Sequence, residues 1–414
     1  MRILQATDCY PPPLVGGRDL HVRLLAHELA RRGHEVEVVT LAGPGGTRTD
    51  LDGGIRVHRI AGWSRLLNPF YANPEQPYHP TVPDPGMVRA VAALVRQHRP
   101  QVVHSHSWMI HSLLPILPTE QTRLVVTMHE YGLVCPKNTF VYRSGVCTGP
   151  RYAKCVACAS GQYGPVRSVA LTTGLTLMRP WHHRVDRYMA ISTAVARACA
   201  SVGGPGRPPI EIIPPFLPDD SFPSTDTGRP GFVPATGDYL MFAGALGPHK
   251  GLDVLLEAWA GLDLAIPLVL VGIRREDTPH HFPDGVIVAE NVPNADVLRA
   301  WAHCTVAVVP SRWPEPFGRV ALEAMGAGRP VVASAVGGLG DLVIDGTTGI
   351  LVPPGDVEAL RAAIQQLLSD PGLRDDMGKA GRRRAAEFTA SAVIPRVERV
   401  YDEVVGALSP VASL

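Results

Sequence analysis

Lysine is scarce in this 414-residue chain: only Lys137, Lys154, Lys250 and Lys379 stand among 39 basic residues, so each can be weighed individually. The formal net charge is +1, which gives no electrostatic reason to expect nucleic acid as a partner. Also missing is the cationic, apolar, small-residue order of a signal peptide, because Arg2 to Asp8 already reads as a strand. A cytoplasmic location is the expectation. No apolar run is long enough to span a bilayer; the charge-free stretch Ser168 to Met178 is too short. Flanked by Arg167, Arg179, His182, His183 and Arg184, it reads as a packed helix in preference to a peripheral helix at the inner membrane face. No short-period repeat is evident. Two nucleotide fingerprints are absent as well. The loop Thr7 to Gly17 after the first strand offers only a late Gly-Gly, which excludes a dinucleotide-dependent oxidoreductase. Gly378-Lys379 has neither the spacing nor the hydroxyl of a P-loop.

What is present is an alternation of strand and helix in two series. A chain of this length exceeds what one core usually supports, and 45% hydrophobic with 19% charged residues is ordinary globular composition. Strands are expected at Arg2 to Asp8, Glu35 to Thr40, Gly54 to Ile60, Gln101 to His104, Arg123 to Met128, Arg187 to Ile191 and Glu211 to Ile213. Between the first two lies a helix, Arg18 to Arg32, with Leu20, Leu24, Leu25 and Leu29 on one face and a stop at Gly33. Residues 214–238, with six prolines, have linker composition. The second series follows: Tyr239 to Ala245, Pro267 to Val271, Val286 to Ala289, Thr305 to Val309, Pro330 to Ala333 and Gly349 to Val352. The spacing predicts α/β domains at 1–213 and 239–390, with a final helix in 391–414, and a cleft between two doubly wound halves is the default active site.

Glu315 and Glu323, with seven residues between them, carry the most information. Pro316 cannot lie inside a helix, so a helix is expected to begin near Gly318, after the strand Thr305 to Val309. Strand, loop with carboxylate and glycine, then helix start describes a ligand site at the carboxyl edge of a parallel sheet. The amides of Gly318, Arg319 and Val320 and the Arg319 guanidinium suit phosphate. Glu323 can accept hydrogen bonds from two ribose hydroxyls, and Glu315 would meet the far end of the same ligand.

The stretch Pro314 to Pro330, a Glu-x7-Glu element with embedded Pro-Phe-Gly at 316–318, resembles that of the retaining glycosyltransferases of family 4. The resemblance implies a GT-B fold, two Rossmann-like domains facing across a cleft, with the last helix crossing back to the first domain. It implies transfer of a sugar from a nucleoside diphosphate sugar to an acceptor hydroxyl with retention, and no catalytic metal. Gly318, Phe317, Arg319, Val320, Glu323 and Glu315 would bind the donor, Glu315 orienting the sugar. Lys250, in Phe242 to Gly251, would reach the diphosphate. Relatives read Gly-Arg-Leu before that Lys-Gly; this chain has Ala245 at the arginine position, and Arg312 or Arg319 is the candidate replacement. Gly337 and Gly338, in Val336 to Asp341, resemble the family's loop at the donor, and Gly16 and Gly17, closing Pro11 to Gly17, its first-domain glycine loop. His129, at the end of a strand, matches a histidine placed beside the transferred sugar, which sets Glu315, His129 and Lys250 as the catalytic candidates. Glu130 stands where the family often has Asp, and His104 and His106 are secondary candidates on the acceptor side.

Cys135, Cys147, Cys155 and Cys158 fall within 24 residues, an insertion spanning about 135–160 of the first domain. In a cytoplasmic protein four clustered thiols suggest metal before disulfide, and a structural zinc site is preferred over free thiols, a redox pair or an iron–sulfur cluster. The alternatives to a transferase are a degenerate sugar-nucleotide-binding subunit, for which Ala245 is the hint, and a nucleotide-sugar epimerase, whose acid and base carboxylates cannot be singled out. The acceptor, a glycan, a lipid-linked precursor or a small molecule, is expected to be read by residues in 61–85 and 138–164.

Overall fold

The computed structural model describes residues 1–12, 16–43, 45–70, 78–143, 145–206, 209–222, 228–262 and 265–407. Parts of the Pro11 to Gly17 loop, of the acceptor segments and of the 214–238 segment, and the end of the last helix, therefore lie outside the described residues. The chain divides into two compact units, Met1–Pro214 with Val393–Leu414, and Pro215–Ala392.

The first unit is built on β1 (Arg2–Thr7), β2 (Glu35–Leu41), β3 (Arg48–Asp52), β4 (Ile55–Ile60), β5 (Val102–Ser105), β6 (Arg123–Met128), the small hairpin β7 (Val141–Tyr142) and β8 (Gly145–Val146), β9 (Arg187–Ala190) and β10 (Glu211–Ile212). The main sheet runs β10-β9-β6-β5-β1-β2-β4-β3, parallel except for β3 against β4. Its helices are α1 (Gly17–Arg31), α2 (Pro85–His98), α3 (Ile110–Leu113), α4 (Tyr152–Tyr163), α5 (Pro165–Met178) and α6 (Thr193–Ala198). β5 is buried at every position, as an interior parallel strand covered on both faces must be. β3 escapes sequence periodicity because Arg-Thr-Asp-Leu-Asp is polar and lies at an exposed sheet edge. In α1 the buried face is Val22, Leu25, Ala26 and Leu29, with Asp19 and His21 beside it. Leu20 and Leu24, expected on the same face as Leu25 and Leu29, are only half-buried because the apolar stripe is rotated toward Val22 and Ala26.

The second unit contains β11 (Leu240–Ala243), β12 (Leu268–Val271), β13 (Val286–Ala289), β14 (Val306–Val309), β15 (Val331–Ser334) and β16 (Gly349–Val352), all parallel. Their order is β13-β12-β11-β14-β15-β16, so the chain reverses direction across the sheet between β11 and β14. The helices are α7 (Leu252–Ala260), α8 (Asn294–His303), α9 (Arg319–Gly326), α10 (Leu339–Leu342), α11 (Val357–Ser369) and α12 (Pro371–Ala385). Leu252 and Leu255 of α7 and Leu360 and Ile364 of α11 pack on Leu240, Leu268 and Val306 of the strands. Residues from Pro215 on belong to this unit rather than to a separate linker. Phe216 and Leu217 are buried, and Leu217 N–H donates to Phe388 O (2.9 Å) while its carbonyl accepts from Ala390 N–H (3.0 Å). Helix α13 (Ala390–Gly406) begins in the second unit and from Val393 belongs to the first. There Arg399 pairs with Glu211, Arg187 with Glu403 (3.1 Å) and Arg32 with Glu398 (2.8 Å). Among the described residues no helix is long and apolar enough to cross a membrane.

Candidate functional site

In an open parallel sheet, ligands bind beyond the carboxyl ends of the strands where the order reverses. In the second unit that point lies between β11 and β14, and the two loops leaving these strands carry Lys250 and Glu315. They meet: Lys250 Nζ donates to Glu315 Oε1, and Ser311 Oγ donates to the same oxygen at 2.7 Å. The ammonium also lies 5.0 Å from the centroid of the Trp313 ring. Burial alone would raise the Glu315 carboxyl, but Lys250 and the donated hydrogen bonds outweigh it and hold the group below its usual value. A buried, ionised carboxylate is thus kept at the switch point by one lysine.

Helix α9 starts where expected. Gly318 caps it in the left-handed region (φ 100°), and Arg319 and Glu323 fall one turn apart, with Nε to Oε1 at 3.0 Å and Glu323 buried. Both cations proposed from the sequence are therefore engaged by the two glutamates of the same motif. Arg312, the other candidate for the place of the missing arginine, pairs with Asp253 of α7 at 2.6 Å. The Phe317 ring is buried 5.6 Å from that of Phe388, so its side chain anchors the loop in the core.

The two glycine pairs have different reasons. A Cβ on Gly337 (φ 63°) would lie 2.2 Å from Glu315 O, and one on Gly338 would lie 2.5 Å from Pro316 O. Gly338 N–H donates to Glu315 O at 2.7 Å. These glycines let the loop after β15 clamp the backbone of Glu315, which sequence reasoning had assigned to phosphate or sugar approach alone. At Gly16 and Gly17 a Cβ would meet nothing within 4 Å, so no packing within the chain demands glycine there.

In the first unit the order reverses between β1 and β5. Asp8, just beyond β1, is buried and accepts from Ser107 Oγ (2.6 Å) and Met109 N–H (3.1 Å) beyond β5. His129 follows β6, and Glu130 pairs with Arg18 at 2.9 Å. His129 is buried and joined to a polar chain. Its Nε2 lies 2.9 Å from His106 Nδ1, His106 Nε2 2.6 Å from Gln5 Oε1, and Gln5 Nε2 donates to Tyr401 Oη at 3.3 Å. Tyr401 Oη in turn lies 2.6 Å from His104 Nδ1, and His104 Nε2 2.7 Å from Thr127 Oγ1. Burial, and then neighbouring histidines, push His129 and His106 well below the usual value and His104 down to about 3, so all three rings are neutral. Neutrality fixes the tautomers. Gln5 Oε1 must receive His106 Nε2–H, leaving His106 Nδ1 to accept from His129 Nε2–H. His129 Nδ1 then carries the lone pair. His104 and His106, expected on the acceptor side, are buried behind His129 and orient it. Tyr401, nearly 300 residues from His104, could not be found from sequence proximity.

The four clustered cysteines line one cavity of about 20 Å³ and form no disulfide. Among the described residues the group of His, Cys, Asp and Glu atoms that approach within 4.8 Å of one another is Glu37, His58 and His98, so no three of the sulfurs come that close. Zinc holds thiolates at Zn–S of about 2.3 Å, which puts sulfurs about 3.8 Å apart. Bound zinc would draw the sulfurs closer together than they stand here. At Glu37 the carboxylate is already bound by the Arg56 guanidinium and by His58 (3.0 Å).

Residues 229–384 match the family model "Glycosyl transferases group 1", and residues 16–215 match "Glycosyl transferase 4-like domain". The chain is 30% identical to a D-inositol 3-phosphate glycosyltransferase of Kineococcus radiotolerans, covering 94% of this chain and 91% of the relative. It is 28% identical to a glycogen synthase of Mycobacterium tuberculosis, covering 97% and 94%. Its fold is similar to that of a sucrose-phosphate synthase from Thermosynechococcus elongatus (TM-score 0.73, 23% identity, 98% of this chain and 100% of that one). It is also similar to that of Anabaena HepE solved with UDP and glucose (TM-score 0.69, 18% identity, 97% and 100%).

Proposed function

The chain belongs to the group 1 glycosyltransferases of family 4 and is a nucleotide-sugar-dependent glycosyltransferase with two Rossmann-like domains; on that premise we propose that the Lys250–Glu315 pair exchanges partners when a nucleoside diphosphate sugar binds. The observation that carries this is their pairing at the reversal point of the second sheet. A diphosphate competes for the Lys250 ammonium and so releases the Glu315 carboxylate to accept hydrogen bonds from sugar hydroxyls. Glu323 takes the ribose hydroxyls while Arg319, one turn earlier, turns toward phosphate with the first amides of α9. Negative charge grows on the departing diphosphate, and fixed donors there lower the barrier because they need no reorganisation.

His129 is assigned to the transferred sugar. With its Nε2–H committed to His106, Nδ1 accepts from a sugar hydroxyl, and the ring acts as an orienting acceptor. Transfer proceeds with retention. The test is proton NMR of the product formed from an α-configured donor: an α-linked product is expected, and a β-linked one would contradict the assignment.

Contact with a lipid surface is placed on α5. This helix buries Ser168, Thr172 and Gly174 and exposes Val166, Val169 and Leu177, with Trp181 beyond, rimmed by Arg167 and Arg179. An apolar exposed face with a cationic rim suits an anionic bilayer, and the acceptor would then be lipid-linked. Co-sedimentation with anionic but not neutral vesicles, weakened in Trp181→Ser, is the expected result; equal recovery without vesicles would refute it.

A further inference from the structure

Away from the carboxyl strand ends where Asp8 and His129 lie, the first unit holds a polar cluster that the function leaves unused. Glu37 stands third in β2, His58 fourth in β4 and His98 last in α2. Glu37 and His58 are buried and His98 is half-buried. One nitrogen of each imidazole and a Glu37 carboxylate oxygen lie within 4.8 Å of one another. His58 Nε2 is 3.0 Å from Glu37 Oε2, His98 Nδ1 is 3.1 Å from Oε1, and the two ring centroids are 5.7 Å apart. Ligand atoms held at about 2.0 Å by a tetrahedral ion stand roughly 3.3 Å from one another, so the three side chains need little movement to share one.

The surroundings suit a cation. Thr49, the register partner of His58 on β3, places its Oγ1 3.1 Å from His58 Nδ1. A ligating imidazole needs such an acceptor on its other nitrogen, which fixes the tautomer and the ring. Helix α2 ends at His98, so the negative end of its dipole lies beside the cluster. Glu37 and His98 also line a cavity of about 50 Å³, with Arg2 and Glu35 on its wall, which has room for water in an open coordination position. One cation is already present, because Arg56 pairs with Glu37 Oε1. Its side chain is more than half exposed and can hold that oxygen from outside while Oε2 turns to an ion, as a hydrogen-bonded ligating carboxylate does.

We propose that Glu37, His58 and His98 hold a divalent transition-metal ion of the zinc class as a clip between β2, β4 and α2. Two imidazoles and one carboxylate suit zinc, cobalt or nickel, whereas magnesium and calcium take shells of oxygen. Coordination replaces the ring protons that face Glu37 by the ion and leaves the His58 proton on Nδ1, toward Thr49 Oγ1. No oxidation state changes.

The experiment is a titration of untagged, chelator-treated full-length protein with zinc against a chromophoric competitor, and with cobalt followed by visible absorption. One equivalent is expected to bind ahead of the competitor, with cobalt ligand-field bands that persist unchanged in Cys155→Ser/Cys158→Ser. His58→Gln and His98→Gln should each lose that equivalent. Thr49→Val, at an exposed position, should weaken it roughly tenfold, and Arg56→Gln, which removes a competing charge, should strengthen it. Equal binding by the wild type and His58→Gln would overturn the proposal. So would cobalt bands that carry thiolate charge transfer and vanish in the cysteine variant, or wild-type protein that takes up no equivalent ahead of the competitor. Should a histidine variant fail to fold, unchanged affinity in both Thr49→Val and Arg56→Gln overturns it equally.

Discussion

Glu315→Gln is expected to lower the kcat/KM of sugar transfer roughly 10²- to 10³-fold while costing only about 1 kcal/mol of stability. The amide has the shape of the carboxylate and its oxygen still accepts one hydrogen bond, from Lys250 or Ser311, so the loop after β14 keeps its fold. What disappears is the charge that orients the sugar and holds Lys250. Lys250→Ala should lose a similar amount of activity but behave differently in a melt. It leaves the buried Glu315 carboxylate without its cation, which costs about 3 kcal/mol at neutral pH. In the wild type Glu315 titrates below its ordinary value of 4.5, so its stabilising contribution is present above that pH and is lost as pH falls through the lower folded value. In Lys250→Ala the largest opposition to burial is gone and the Ser311 hydrogen bond is what remains against it, so the group rises and the deficit shrinks as pH falls and the carboxyl protonates. Steady-state rates and thermal melts at two pH values separate the cases. Glu315→Gln within threefold of wild-type activity would remove Glu315 from the mechanism.

Acid should unfold the first unit well before the carboxylates of the second are protonated. His79, His104, His106, His111, His129 and His182 all titrate below the ordinary 6.5 because burial disfavours their charged forms, His182 down to about 4. The folded unit binds fewer protons than the unfolded chain below pH 6.5, so stability is complete above that pH and falls below it. Each such histidine contributes a slope approaching about 1.4 kcal/mol per pH unit. All six act in the same direction, so their contributions add as the pH falls. Asp19, Glu130 and Asp186, raised by burial, act with the opposite sign but are fewer. His249 is the second unit's member of the group. Hydrogen exchange at pH 7 and pH 5 should show protection lost first in β1, β5 and β6; equal protection at both pH values would contradict the buried-histidine network.

Much of this arrangement is legible in local sequence because its determinants are local. Pro316 forces a loop and Gly318 a cap, so the positions of Glu315 and Glu323 follow from a few neighbouring residues. The buried parallel strands announce themselves as apolar runs, whereas β3 and the β7–β8 hairpin are too polar or too short to do so. What escaped is set by tertiary contact. Ser311 and Asp8 matter through hydrogen bonds across adjacent strand ends, and Tyr401 through a chain of five residues distant from it in sequence. Gly337 looked like a phosphate loop, but its missing Cβ is explained by the Glu315 carbonyl 2.2 Å away from where that atom would be.

The most direct measurement is the thermal shift of the full-length protein against UDP, GDP, ADP, dTDP and NAD, with Glu323→Ala alongside. At about 100 times its dissociation constant a ligand stabilises the state that binds it by roughly 2.7 kcal/mol. One nucleoside diphosphate should raise the melting midpoint of the wild type and not of the variant, and that ligand names the base of the donor. Silence from all four diphosphates, or a response to NAD alone, would contradict a donor site at the Glu315–Glu323 motif.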